Sequence, residues 1–379
     1  MTAIATAPPT SAPPRARPKT SKLVVALRIL ASLVLLAVLA WQLRGFDFSE
    51  LLPELSVTTG LWLLASIGML LVAFALQTLR WDAVLVPMGY HVPFPHLFSE
   101  FLAGQFVSNV LPTAFAGDII RIARLGRDID SRSSAFASIA IERLTGWFVL
   151  PAISLVTILL VPEFRDLGGA TVAALAIDVG TMICLGVVLA VASNRRWDKS
   201  ANDATGWRRW IAAVHLGINA IRSHPGGAFW IIGAGIAFQV TQCLSIWMAA
   251  RALEIDEVTV LAAFAFFPPT LIGQNLPVGF GGLGVREGAF LLFFGALGAT
   301  DERVIALGLI TYAVTMIASV VGAPFLAVGG QKWRDAIREA EREAVEVPLD
   351  TPFDHPEVAP SEAVTPASAG DTSSGGSGT

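Results

Sequence analysis

Long apolar runs alternate with short polar loops along most of this chain. A hydrocarbon core about 30 Å thick takes about 20 apolar residues per helical crossing. Six runs are long enough to cross: about 24–43, 59–79, 146–161, 170–192, 228–248 and 303–327. Two further regions, about 94–120 and 259–299, are apolar but broken by Pro and Gly. Each reads as a re-entrant hairpin or a single poor crossing. The pattern predicts an all-α integral membrane protein with six full transmembrane helices and two Pro/Gly-broken re-entrant hairpins. The first run, Leu23 to Leu43, exceeds the 7–15 residues of a signal-peptide core and reads as a signal anchor.

Basic residues orient these segments, because cytoplasmic loops carry the excess of Lys and Arg. The N-terminal arm holds Arg15, Arg17, Lys19 and Lys22, and the loop 117–132 holds Arg121, Arg124, Arg127 and Arg132. The loop 193–227 carries six more basic residues, and Lys332, Arg334 and Arg338 follow the last span. These belong inside, which puts both ends of the first broken region on one face and favours a hairpin there. Residues 251–257, with Arg251 against Glu254, Asp256 and Glu257, fall outside. Both termini are expected in the cytoplasm of a multi-pass cell-membrane protein. Residues 207–223, with Trp207, Trp210, Ile211, Val214 and Ile218, look like an interfacial amphipathic helix.

The two broken regions share a segment. Leu111-Pro112-Thr-Ala-Phe115-Ala-Gly117-Asp118-Ile-Ile-Arg121 aligns without gaps on Leu276-Pro277-Val-Gly-Phe280-Gly-Gly282-Leu-Gly-Val-Arg286, 165 residues later. Each copy follows two crossings and precedes one. Three crossings per half is odd, so the halves should have opposite orientation, the inverted-repeat plan of many transporters. The expected organisation is a disordered arm at 1–22, a first membrane repeat at 23–169, a second at 170–330, and a charged helix with a disordered tail at 331–379.

Pro112, Gly117, Pro277, Gly281, Gly282 and Gly284 break the helices, and lipid cannot satisfy the backbone groups they expose. Such backbone belongs in a cavity or a protein contact. Exposed amides at a half-helix start favour an anion, and an Arg fork pairs well with phosphate. Arg121 and Arg286 each lie four residues after the shared glycine, so they are the first candidates for holding a lipid phosphate. The plain alternatives are a cytoplasmic topology charge for Arg121 and a structural salt bridge between Arg286 and Glu287. Asp118 is a candidate to orient Arg121 or to cap its helix. Asn109 and Gln274 precede the two Leu-Pro steps, as headgroup donors or as partners of freed carbonyls. Glu142 and Arg143 begin the span near 146 and form a second pair or an interface anchor. Gln239 and Gln242 read as interhelical hydrogen bonders, Asp178 as a proton carrier or a protonated packing residue, and Arg80-Trp81 as an interface anchor.

Composition supports the membrane class: 54% of residues are hydrophobic and 15% charged, against about 25% charged in soluble domains. The net charge of -4 comes from the acidic tail and says little. Cys184 and Cys243 lie in separate apolar runs and read as packing residues. Gly279-x-Gly281-x-x-Gly284 fits the dinucleotide expression but lacks a βαβ unit. His91 and His96 fall in a short turn, His215 and His224 flank a basic loop, and none forms a ligand set. No metal, cofactor or nucleic-acid partner is expected. The longest internal loop is about 35 residues, below the roughly 50 of a small domain.

Several stretches together resemble a known family: Leu79-Arg80-Trp81, Met88-Gly89-Tyr90, Asn109-Val-Leu-Pro112, Gly117-Asp118-Ile-Ile-Arg121, Glu142-Arg143-Leu144, Leu276-Pro277 and Gly281-Gly282-Leu-Gly-Val-Arg286-Glu287. The chain resembles, over about 23–330, the flippase-like transmembrane domain of lysylphosphatidylglycerol synthases. The resemblance implies movement of a phosphate-bearing lipid between leaflets, an anionic phospholipid or a polyprenyl-phosphate-linked lipid. The implied partners are that lipid and a lipid glycosyltransferase or lipid-modifying synthase; the oligomeric state is open. The alternatives are a membrane platform for such a glycosyltransferase and a membrane-embedded lipid-phosphate transferase. Two departures stand out. No aminoacyl-transfer domain follows, so synthesis of lysyl-lipid is not expected. Thr145-Gly146 also stands where the resemblance implies a nearby acidic residue.

Overall fold

The computed structural model describes residues 56–110, 116–193, 225–275 and 285–327, with Ile211, Val214 and His215. The 24–43 span, both terminal segments, Pro112, Pro277, Gly281, Gly282 and Gly284 lie outside the described residues, as does most of 207–223. Every regular element among the described residues is helical. In chain order they are α1 (Val57–Leu85), α2 (Phe94–Val110), α3 (Ala116–Asp128), α4 (Arg132–Leu160), α5 (Gly169–Ala192), α6 (Pro225–Ala252), α7 (Val260–Gln274), α8 (Val285–Phe294), α9 (Asp301–Val320) and the short α10 (Ala323–Ala327). Five of these, α1, α4, α5, α6 and α9, are long and apolar enough to cross a membrane.

Local signals explain the starts. Ser56 and Thr259 cap α1 and α7, accepting from the amides of Thr59 at 3.0 Å and Ala262 at 3.1 Å. Ser131 does the same for α4, accepting from Ser134 N at 3.3 Å. That cap lies well upstream of the crossing expected at 146–161. Hydropathy misses the stretch 132–145 because its polar side chains are satisfied by protein rather than by lipid. As a result Glu142 and Arg143 lie in the middle of a 29-residue helix instead of at its mouth.

The starts of α1, α2, α3 and α4 (57, 94, 116 and 132) recur at α6, α7, α8 and α9 (225, 260, 285 and 301), displaced by 166–169 residues. α1 and α6 pack along their length, and their register is antiparallel. Ser66 meets Ser245 near one end, whereas Arg80 meets Gly235 and Phe238 towards the other. The two serines exchange bonds, each hydroxyl donating to the other's carbonyl at 2.8 and 3.0 Å. Between apolar helices in lipid, close packing and such hydroxyl bonds replace water exclusion as the holding force.

α2 and α3 also lie antiparallel, since His96 at the start of one touches Asp128 at the end of the other. They cross closely at two glycines. A Cβ at Gly117 would overlap the Gly104 carbonyl and the Ser108 hydroxyl.

Two cores interlock the halves. Phe266, Phe290, Phe293 and Phe294 of α7 and α8 pack with Ile246 of α6 but also with Ile158 of α4 and Ala174 of α5. Phe74, Trp81, Phe101 and Leu102 of α1 and α2 pack with Val314 and Ala318 of α9. Each half therefore lends its last long helix to the other's core. α7 contains Pro268 and Pro269. Pro269 cannot donate to the carbonyl of Ala265 four residues back. The Ser154 hydroxyl of α4 donates to that carbonyl instead, at 2.6 Å.

Exposed Leu61, Leu64, Val156, Leu159, Val172, Ile183, Val187 and Phe229 form the apolar exterior expected of lipid-facing helices. Cys184 lies on this exterior, not in a core as its apolar run suggested, because α5 turns most of its surface outward. Cys243 is buried. Ile211 and Val214, from the expected amphipathic helix, pack against Ala192.

Candidate functional site

A cavity of about 250 Å³ opens between α1, α2, α3, α4, α6 and the end of α7. Five charged residues line it: Arg80, Asp118, Arg121, Glu142 and Arg143. Gln77, Gln105, Ser108, Gln239, Gln242 and Asn275 add neutral polar groups.

Glu142 is the hub. Its side chain is almost fully buried and receives Arg121 Nη2 on one oxygen and the Gln77 amide on the other. Arg80 Nη2 lies 3.6 Å from the second oxygen. Consecutive helix residues point about 100° apart, so Arg143 faces a different partner and pairs with Asp118. Asp118 also lies 3.5 Å from Arg121 one turn along α3, the i,i+3 neighbour spacing.

The guanidiniums sit on aromatic faces in place of water. Arg121 stacks 4.0 Å from the centre of Trp81 and 5.1 Å from Phe101, and Arg80 lies 5.5 Å from Phe238. A desolvated pair of this kind contributes about 2 kcal/mol or more. Room for Arg80 comes from Gly146 of α4 and Gly235 of α6, where an added Cβ would come within 3.1 Å and 3.4 Å of it. Thr145-Gly146, which departs from the expected pattern, therefore leaves the space that the Arg80 head occupies.

Three guanidiniums thus face two carboxylates, and the cavity wall carries one surplus positive charge. Arg80 Nε and Nη1 and Arg121 Nε are buried without a hydrogen-bond acceptor. A buried cation with unused donors is costly unless an anion completes it. The arrangement can hold a singly charged anion, and a planar fork suits phosphate oxygens.

The structure distributes the sequence candidates unevenly. Gly117, Asp118, Arg121, Glu142 and Arg143 meet at the cavity. Asn109 ends near it on α2 with its amide nitrogen buried and unbonded, but is not among the lining residues. Gln274 closes α7, and its neighbour Asn275 faces the cavity. Arg286 opens α8, pairs with the adjacent Glu287 and lies 4.6 Å from the Tyr312 ring of α9. No described contact joins Arg286 to Arg121. Gln239 and Gln242 line the cavity, and Gln239 Oε1 accepts no bond. Asp178 is fully buried on α5 with both oxygens unbonded, away from the cavity lining.

Arg80 was missed. It is 3% exposed, and Trp81 is 0% exposed, so neither anchors the helix at an interface as expected. The apolar triplet Ala83-Val84-Leu85 beyond them carries α1 onward to Leu85 and keeps Arg80 inside. That continuation was the available signal, together with Gln77 three residues earlier on the same face.

Comparison with known proteins agrees with this picture. Residues 25–322 match the family described as the lysylphosphatidylglycerol synthase TM region. A UPF0104 membrane protein of Methanothermobacter thermautotrophicus is 25% identical over 264 residues, which cover 64% of this chain and 77% of that protein. Glycosyltransferase AglD of Haloferax volcanii is 27% identical over 330 residues, covering 76% of this chain. The chain spans about half of AglD, 52% of its length.

Proposed function

This chain belongs to the family of the lysylphosphatidylglycerol synthase TM region, and from that premise we propose that it is a lipid translocase. It moves a phosphate-bearing lipid between leaflets of the cell membrane, with both termini in the cytoplasm. The observation that carries the reading is the buried cavity whose three arginines outnumber its two carboxylates, with unused N–H donors on Arg80 and Arg121. The headgroup phosphate takes the surplus charge. Asp118 and Glu142 hold the guanidinium forks in position without neutralising them all.

Alternating access follows from an inverted repeat. The recurring order of helices and the antiparallel α1–α6 pair support that plan. Arg286 and Glu287 then form the second half's counterpart of the Arg121 site, with Pro277, Gly281, Gly282 and Gly284 as its broken backbone. Asn109 and Gln274 stand beside the two breaks as headgroup donors.

Proteoliposomes with a leaflet-selective fluorescent phosphatidylglycerol probe test the proposal. Wild-type protein should equilibrate the probe, and Arg80→Ala and Arg121→Ala should each slow it by about tenfold or more, the equivalent of one lost ionic contact of about 1.4 kcal/mol. Variants that fold and move the probe at the wild-type rate would sink the phosphate-holding role.

A second reading rests on the similarity to Glycosyltransferase AglD: a membrane platform that presents lipid to a glycosyltransferase. A third is a lipid-phosphate transferase with Asp118 or Glu287 as base. A platform would bind the probe without moving it. A transferase would convert it chemically in the same vesicles.

A further inference from the structure

Outside the cavity, the cytoplasmic-side ends of α2 and α3 bring together an imidazole and two carboxylates. His96 lies in the first turn of α2, and Glu100 follows one turn later on the same face. Asp128 is the last residue of α3. His96 Nε2 is 2.8 Å from Asp128 Oδ2 and 3.5 Å from Glu100 Oε1, and the three ligand atoms all lie within 4.8 Å of one another.

Glu100 makes this more than a surface cluster. It is fully buried, 0% exposed, yet neither carboxylate oxygen has a hydrogen-bond donor. Arg124 Nε approaches at 3.5 Å, too long for a hydrogen bond, while its Nη1 donates to the Phe325 carbonyl at 3.4 Å. With a neutral imidazole, two carboxylates face one guanidinium, so the cluster lacks positive charge. The carbonyl end of α3 adds partial negative charge at Asp128.

We propose that His96, Glu100 and Asp128 form a three-ligand site for a divalent transition-metal ion of the Zn²⁺ class. One imidazole with two carboxylates suits Zn²⁺, Co²⁺ or Fe²⁺, whereas Ca²⁺ and Mg²⁺ take all-oxygen shells. Ligands about 2.1 Å from a tetrahedral centre stand roughly 3.4 Å apart. The His96–Glu100 separation already has that value. The His96–Asp128 hydrogen bond opens by about half an ångström to admit the ion. Both of these side chains are nearly half exposed, so the ion enters from the aqueous side and water completes the coordination.

The ion clamps the two open ends of the α2–α3 hairpin. Phe101, next to Glu100, is one of the rings beneath Arg121, so the clamp fixes the element that presents that arginine. The site stands independently of what the cavity carries.

The test uses the full chain, purified in detergent with a tag free of histidine and stripped with a chelator. Co²⁺ should give visible d–d absorption, and one Zn²⁺ per chain should survive gel filtration, with Mg²⁺ not competing. His96→Ala and Asp128→Asn, both at accessible positions, should each weaken Zn²⁺ binding about tenfold or more. Glu100→Gln, which keeps the buried volume, should do the same. Zn²⁺ should raise the unfolding temperature of the wild type and not of the His96→Ala/Asp128→Asn double variant. If the wild type retains no more Zn²⁺ than that double variant, the bound metal is adventitious and the proposal fails.

Discussion

Glu142 governs the electrostatics of the cavity because it touches both Arg121 and Arg80 from a position that water does not reach. Replacing it with Gln preserves shape and one hydrogen-bonding oxygen but leaves three guanidiniums against Asp118 alone. Removing one partner from a buried ion pair costs about 3–5 kcal/mol. Glu142→Gln should therefore unfold at clearly lower temperature or denaturant than wild type, with part of the loss restored by added phosphate. Unfolding at the wild-type midpoint would show that the network contributes nothing to the fold. Much of this site was legible in the sequence as polar residues stranded in apolar surroundings: Asp118, Arg121, Glu142 and Arg143 all stood out. Their pairing was not. Glu142 and Arg143 are neighbours in sequence but serve different partners, and that depends on helix phase and on which helices surround α4. Arg80 escaped because a charge near the end of an apolar run looks the same whether the helix stops there or continues.

Among the elements, the α2–α3 hairpin carries the tightest geometric constraint. Gly104 and Gly117 let two backbones approach where any side chain would collide. Gly117→Val should lever α3 away from α2, displace Arg121 from Trp81 and cost about 1–3 kcal/mol or more from overpacking. Quenching of Trp81 fluorescence, with the other tryptophans replaced, would report the displacement; unchanged emission and stability would show that the crossing tolerates bulk. The long helices α1, α5, α6 and α9 were readable from apolar length alone. The beginning of α4 was not, because residues 132–145 are satisfied by protein contacts that hydropathy cannot anticipate. Nor does the sequence reveal that Ser154 supplies the donor missing at Pro269, a repair made across two helices.

At the scale of the molecule, the shared segment at Pro112 and Pro277 pointed to two related halves, and the recurring helix order has the same displacement. Opposite orientation of the halves makes a direct prediction. Single cysteines placed at Ser131 and Thr300, with Cys184 and Cys243 replaced by Ser, should react with impermeant reagents from opposite faces of the membrane. Labelling from the same face would rule out the inverted plan. The interlocked cores mean that neither half moves as a free body; α4 and α9 are shared and form the natural axis. The surplus charge of the cavity has a consequence for energetics. A monoanionic headgroup neutralises the site, so the loaded carrier crosses the transmembrane field without electrical work. The unloaded site returns with its charge uncovered, and each elementary charge moved through the full field is worth about 2.3 kcal/mol per 100 mV. An interior-negative voltage therefore draws the empty site towards the cytoplasm. In the proposed cycle, that electrogenic return drives anionic lipid outward with the membrane potential as its only fuel.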